Sequence, residues 1–370
     1  MKILYFIGTL RSGGKERRLI ELMSGLKKEE NIEILLVLAF NYIDYDYFKK
    51  LNINYMSINK KKNHKSFKVF FQLNNIIKNF KPDIIHTWGS MQAFYMGPLS
   101  WYHKIPLINS QITDAPANIP IFSFRRIVNK INFFFSDVIL ANSNAGLKAY
   151  SVENNKKSLV VYNGFDFNRI SDLEDKESVR EKFNIKSKYV VGMVASFSDK
   201  KDYKTYIKTA QSVLNQRNDV TFLCIGAGDY TPYKNMVETK YKNKILFLGR
   251  QEKVESIMNI CDVGVLSTYT EGISNVIMEF MALGKPVIAT IGGGTSEIIK
   301  NNETGYIISP NKPSILKIKI IFLLLNLNIR INMGKKGSER IAYLFSIKKK
   351  VNMFKNLYSN ILKQNKQEVL

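Results

Sequence analysis

Two carboxylates eight residues apart, Glu271 and Glu279, stand in the stretch TYTEGISNVIMEFMALGKPVIAT. On one continuous helix they would lie ~12 Å apart along the axis and about 80° apart around it, too far to share one proton or one metal ion. An acid/base dyad is therefore not expected. Ser274 offers a better organisation, because as a helix N-cap it leaves Glu271 in the preceding turn and puts Glu279 in the second helical turn. The N–H groups that open such a helix, from the Gly272–Ile273–Ser274–Asn275 segment, favour negative charge. A diphosphate lying there has one carboxylate at each end, and each carboxylate can accept hydrogen bonds from hydroxyls, one from a sugar and the other from a ribose. That is the length and the chemistry of a nucleotide-sugar.

A second loop with chemical character is GTLRSGGKER, where Gly13 and Gly14 precede a helix expected from about Lys15. Glycines let the backbone approach a phosphate closely, and the helix N-terminus supplies N–H groups and a partial positive charge. The loop is neither a GxGxxG fingerprint nor a P-loop, so a plain strand-to-helix turn fits it as well.

These loops need a frame. Short β-branched runs alternate with amphipathic stretches throughout, from Ile3–Ile7 and Lys15–Leu26 to Leu159–Tyr162, and again from Tyr189–Val194 to Gly305–Ile308. Strand–helix alternation implies right-handed βαβ units and parallel sheets covered on both faces. Ligands of such sheets bind at the carboxyl ends of the strands, where both loops lie. A chain of 370 residues exceeds one core, and apolar density falls in the charge-laced DLEDKESVREK, so two doubly wound domains are expected. The expected boundaries are 1–170, 171–345 and a basic helical tail, 346–370, that packs back on the first domain at a place periodicity does not specify.

The block EGISNVIMEFMALGKPVIATIGGGTSEII resembles the Glu-x7-Glu region of family 4 glycosyltransferases, including the Gly-Lys-Pro-Val strand, the Gly-Gly turn and Glu297. GTLRSGGKER is similar to that family's N-terminal glycine loop, SDVILANSNA to its Ala-Asn-Ser segment, and VYNGFD to the signature closing its first domain. IGAGD, LGRQEKV and NNETGYIISP extend the resemblance, which runs from about residue 3 to residue 310. It implies a GT-B fold, two Rossmann-like domains facing a cleft, and a retaining, metal-independent transfer from a nucleotide-sugar, with UDP-hexose or UDP-N-acetylhexosamine the expected donor and no cofactor. By the same resemblance Glu271 contacts donor sugar hydroxyls, Glu279 the ribose, and Gly272, Ile273, Ser274 and Asn275 the phosphates. In VASFSDKKDYKT, Lys201 matches the family lysine that balances the leaving diphosphate, whereas Ser196 stands where an arginine is expected. Lys200 or Arg250 is left to supply the missing charge, although a lysine does not reproduce a guanidinium fork.

The acceptor side departs further. Family members often carry a His after the strand corresponding to Pro106–Asn109, and here INSQITDAPAN has none. Asp114 is the polar candidate, with Gln111 and Thr113 as alternatives. His86 and Trp88, in IIHTWGS, read equally as ligand contacts or as core residues. With Ser196 and the absent His, a catalytically silent nucleotide-sugar or glycan-binding subunit stays open beside the enzyme.

Composition limits the remaining classes. The net charge is +24, which attracts anionic partners. No zinc-finger spacing, RNA-recognition signature or basic heptad accompanies it, so nucleic acid is not the expected partner. An anionic membrane surface and a phosphate-bearing substrate fit better, and the Lys61–Lys81 segment mixes Lys with Phe as interfacial helices do. The apolar run near the N-terminus is too short for a signal peptide, and no run reaches the ~20 residues of a membrane span. Two isolated cysteines, Cys224 and Cys261, indicate neither a disulfide framework nor a zinc site. The chain reads as cytoplasmic, with a glycan or a lipid-linked oligosaccharide as acceptor at the inner face of the membrane.

Overall fold

The computed structural model describes residues 1–11, 13–58, 67–116, 119–120 and 123–368. It divides into two compact units, each with its own sheet. The first unit comprises Met1–Gly164 together with the terminal helix Ile347–Glu368, and the second Phe165–Ser346.

The strands of the first unit are β1 (Lys2–Ile7), β2 (Glu33–Leu38), β3 (Asn54–Ser57), β4 (Ile84–Trp88), β5 (Leu107–Ile112), β6 (Val138–Ala141) and β7 (Ser158–Val160). They pair in parallel in the order β3-β2-β1-β4-β5-β6-β7. Strands such as KILYFI and EILLVL are apolar on both faces because helices cover both sides. The terminal helix buries Val351, Phe354, Tyr358 and Ile361, a three-to-four spacing that makes one stripe, in the core with Ile3, Tyr5 and Ile7. Gly164 permits this return of the chain, since a Cβ there would lie 2.8 Å from the Ile347 backbone. The Asn-Gly signature therefore has a packing explanation.

The second unit contains β8 (Tyr189–Val194), β9 (Val220–Ile225), β10 (Ile245–Gly249), β11 (Val263–Leu266), β12 (Val287–Thr290) and β13 (Gly305–Ile308). Their order, β10-β9-β8-β11-β12-β13, repeats that of the first six strands of unit one. Successive connections run outward from β8 in opposite directions, so β8 and β11 flank the topological switch point.

Three expectations need adjustment. The divide falls at 164/165 instead of 170/171, because the short helix Phe167–Ile170 belongs to the second unit, where Arg169 reaches Glu255 and Glu279. DLEDKESVREK is not an interdomain connection, since its helix Lys176–Lys182 lies inside the second unit. β3 and the preceding helix Asp46–Lys50 were not foreseen, as NYIDYDYFKKLNINYMS carries no β-branched run. Of the Lys61–Lys81 segment, residues 61–66 lie outside the described residues, and the remainder forms the helix Lys68–Phe80. Among the described residues, no helix is long and apolar enough to cross a membrane.

Candidate functional site

In the second unit, the loops leaving β8 and β11 are joined by a short antiparallel clip. Lys201 bridges Thr268, the Asp202 N–H donates to Ser267 O at 3.0 Å, and the Tyr269 N–H donates to Lys200 O at 3.1 Å. The Thr268 hydroxyl also donates to Lys200 O, at 3.0 Å. This clip aims the Lys201 ammonium at Glu271, with which it forms a hydrogen-bonded ion pair. Burial, reinforced by the neighbouring Lys200 charge, pushes Lys201 down to about 8.

The Glu271 backbone is itself gripped. Gly293 has φ +51, and a Cβ there would lie 1.4 Å from Glu271 O, so only glycine permits the approach. The Gly294 N–H donates to Gly272 O at 3.1 Å. The Gly-Gly turn after β12 thus fixes the position of the carboxylate.

The helix after this loop runs Asn275–Ala282, and the Ser274 hydroxyl caps it by accepting from the Ile277 N–H. Glu271 lies before the cap and Glu279 in the second turn, the arrangement read from the cap residue. Glu279 is buried, and Arg169 donates to its Oε1 at 2.9 Å while also pairing with Glu255. The Arg169 guanidinium offsets the cost of burying a carboxylate this deep. Arg169 was not anticipated. It follows the Asn-Gly signature by only a few residues, but its partners lie 86 and 110 positions away, beyond any spacing rule.

Ser196 is exposed just past β8, with its Oγ 3.3 Å from that of Ser198. Lys200 and Arg250 are exposed, and neither forms an ion pair among the described residues. Gly226 and Gly228, in the loop after β9, press on the β8 loop: a Cβ at Gly226 would lie 1.8 Å from Ala195 O and one at Gly228 2.8 Å from Phe197 O. Phe197 stacks on Tyr203 at 4.4 Å, and Tyr230 stacks on Phe247 at 5.6 Å. These rings stiffen the loops under Lys201, and sequence spacing gave no sign of them.

In the first unit, the helix expected near Lys15 begins at Gly14 and runs to Leu26. The Gly13 N–H already donates to the Tyr45 hydroxyl at 3.0 Å, and its φ of −164° is extended backbone open to any residue. Asp114 accepts from the Tyr150 hydroxyl at 3.1 Å and lies 3.7 Å from Arg125. Gln111 is buried and donates to Asn129 at 2.9 Å.

His86 requires a correction. Its strand continues to Trp88, so the imidazole is in mid-strand and fully enclosed. Nδ1 bonds the Tyr358 hydroxyl at 2.8 Å and Nε2 the Ser110 hydroxyl at 2.6 Å. Burial pushes its pKa down to about 3, and both nitrogens are occupied, so the geometry makes it a structural His. Among the described residues, no group of three or more His, Cys, Asp or Glu is placed to hold a metal ion.

Comparison with known proteins adds to this geometry. The family model described as glycosyltransferase family 4 matches residues 12–169, and that of glycosyl transferases group 1 matches residues 175–340. The chain belongs to the family 4 glycosyltransferases. This family 4 chain is 25% identical over 236 residues to an N-acetyl-alpha-D-glucosaminyl L-malate synthase of Bacillus anthracis, covering 62% of the chain and 61% of that relative. It is 24% identical to an N,N'-diacetylbacillosaminyl-diphospho-undecaprenol alpha-1,3-N-acetylgalactosaminyltransferase of Campylobacter jejuni, over 74% of the chain and 76% of the relative. Among solved structures, Anabaena HepE in complex with UDP and glucose superposes with a TM-score of 0.82 at 20% identity, covering 97% of this chain and all of that one. These likenesses establish the GT-B fold. Against the motif pattern described above, Lys201, Glu271 and Glu279 are present, and Ser196 stands at the arginine position.

Proposed function

We propose that this chain transfers a hexose or N-acetylhexosamine from a UDP-sugar, with retention of configuration and without a metal ion, to a glycan or lipid-linked acceptor in bacterial surface polysaccharide synthesis. The observation that carries the reading is the Lys201–Glu271 pair at the switch point, beside the capped start of the helix Asn275–Ala282. A diphosphate there meets a cation and a row of backbone N–H groups. The bond from the sugar's anomeric carbon to the diphosphate breaks, the acceptor oxygen bonds that carbon on the same face, and the leaving phosphate oxygen takes the acceptor's proton. Glu271 is engaged by Lys201 and serves the sugar hydroxyls, so no glycosidase-like nucleophile is invoked. Arg169 holds Glu279 in place to receive the ribose. The HepE complex with UDP and glucose and the lipid diphosphate named for the Campylobacter relative are the analogies behind the choice of donor and acceptor.

A panel of nucleotide-sugars incubated with the wild type and with Glu271→Ala tests this. Release of UDP from at least one UDP-sugar by the wild type, lost in the variant, is the expected result. Tight UDP binding without turnover from any donor would identify a silent subunit instead.

The same reading places the chain on an anionic membrane surface, and a specific feature favours it. The helix Phe124–Phe135 turns an apolar stripe outward. Its inward face carries Asn129 and Asn132, the latter bonded to Gln111 at 2.7 Å, while Phe124 and Phe134 are 67% and 75% exposed, with Ile127 and Ile131 between them. Arg125, Arg126 and Lys130 share this helix and it has no acidic residue. An apolar stripe among cations suits an anionic lipid surface better than water. Sedimentation with phosphatidylglycerol vesicles but not with phosphatidylcholine vesicles is expected, and Phe124→Ser with Phe134→Ser abolishes it. Equal sedimentation of wild type and double variant would refute the contact.

A further inference from the structure

Arg18 and Lys350 are both buried in the first unit, yet neither has a carboxylate at ion-pair distance among the described residues. The Lys350 ammonium donates to Arg18 O at 2.9 Å. The Arg18 guanidinium donates from Nε to Gly14 O at 3.0 Å and from Nη1 to Asn163 Oδ1. Glu21 and, for Arg18, Glu16 lend compensation only through space. Burial lowers the pKa of both cations, as expected for charges taken out of water without an ion-pair partner.

A third donor points the same way. The Trp88 indole Nε1 is buried and has no hydrogen-bond partner, and Lys350 lies over the ring at 5.9 Å. A buried donor left unmade is costly, and native structures rarely keep one without a reason. Arg18, Trp88 and Lys350 line one cavity with Thr113, Asn142 and Asn163. Trp88 ends β4, Thr113 follows β5 and Asn142 follows β6, so the cavity opens at the carboxyl end of the sheet, where parallel sheets bind ligands. Its volume is about 20 Å³, room for one oxygen-sized group.

We propose that Arg18, Lys350 and the Trp88 indole N–H form an oxyanion subsite that receives one phosphate or carboxylate oxygen of the acceptor substrate. Assigning the oxyanion to the acceptor rests on the glycosyl-transfer reading, whereas oxyanion binding itself does not. An anion there supplies the charge that two buried cations lack and the acceptor that the indole lacks. The terminal helix contributes Lys350, so the returning tail completes the subsite as well as the core.

The chain has two tryptophans, Trp88 and the exposed Trp101, so the indole region of a nitrogen-15 spectrum reports the site directly. The full chain is saturated with UDP to occupy the second unit, then titrated with inorganic phosphate against chloride at matched ionic strength. The Trp88 signal is expected to move saturably and the Trp101 signal to stay. Lys350→Met weakens the response by about tenfold or more. Should that variant fold poorly, Trp88→Phe, which removes the donor and keeps an aromatic ring, weakens phosphate binding measured by calorimetry under the same conditions. A Trp88 signal that ignores phosphate, as for a cavity holding only water, or variants that bind phosphate like the wild type would overturn the subsite. Phosphate inhibition competitive with acceptor and not with donor supports the acceptor assignment, and any other pattern overturns that assignment alone. UDP release in the donor panel fails or succeeds independently, which separates this proposal from the transfer reading.

Discussion

Lys201→Ala is expected to lower kcat/KM for sugar transfer by about 10³-fold, the loss typical when one preorganised charge is removed from a developing oxyanion. The lysine is the cation that the clip between the β8 and β11 loops delivers to Glu271, and Ser196 leaves no guanidinium at the family's arginine position to share the load. Lys201→Arg restores part of the loss, limited by the fit of a larger fork. The same residue sets a pH limit. Its ammonium titrates near 8 instead of the ordinary 10.5, so the charge is present below pH 8 and lost above it. Donor kcat/KM therefore falls about tenfold per pH unit above 8. Stability runs the other way: between pH 8 and 10.5 the unfolded lysine holds its proton and the folded one releases it, so this group's contribution to stability rises with pH across that window. Initial rates from pH 6 to 10, with thermal unfolding alongside, check both signs. A flat profile through pH 9 would show that the Lys201 charge does not govern transfer.

Gly293→Ala ranks second, with about a 10²-fold loss of kcat/KM, although the residue offers no side chain to a substrate. Its φ of +51 and the 1.4 Å approach of a Cβ to Glu271 O mean that the turn must move, and Glu271 moves with it. Backbone strain of this kind also costs about 1–3 kcal/mol of stability. Gly284→Ala is the matched control. It has φ +69 with nothing within 4 Å of its Cβ, so it bears the conformational strain without the collision. It is expected to lose about 1 kcal/mol of stability and keep its activity. If both variants lose activity equally, strain alone explains the effect and the grip on Glu271 does not matter.

Several elements of the site were legible before any fold was known. Ser274 is a cap residue followed by an apolar helical run, and the helix starts after it with Glu271 outside and Glu279 inside. The motif lysine and the glutamate meet, although nothing local requires Lys201 to find a partner 70 residues away. Other features misled. His86 reads from sequence equally as a ligand contact or a core residue, and the structure encloses it in the middle of β4. In the helix Phe124–Phe135, periodicity groups residues on a face without saying which way the face turns. Its asparagines face inward because Gln111 and Ser90 wait there to bond them.

What the amino-acid order determined by itself is the repeated strand–helix alternation, the loops at the carboxyl ends of β8 and β11, and the helix cap between the two glutamates. Each rests on interactions within a few residues, namely side-chain period, cap hydrogen bonds and glycine φ, and so is written locally. The tertiary structure alone decided that Arg169 holds Glu279, that the tail brings Lys350 beside Arg18, and that a glycine turn clamps Glu271. Those contacts join segments 22 to 332 positions apart. Strand order and register set their distances, and no local spacing encodes strand order.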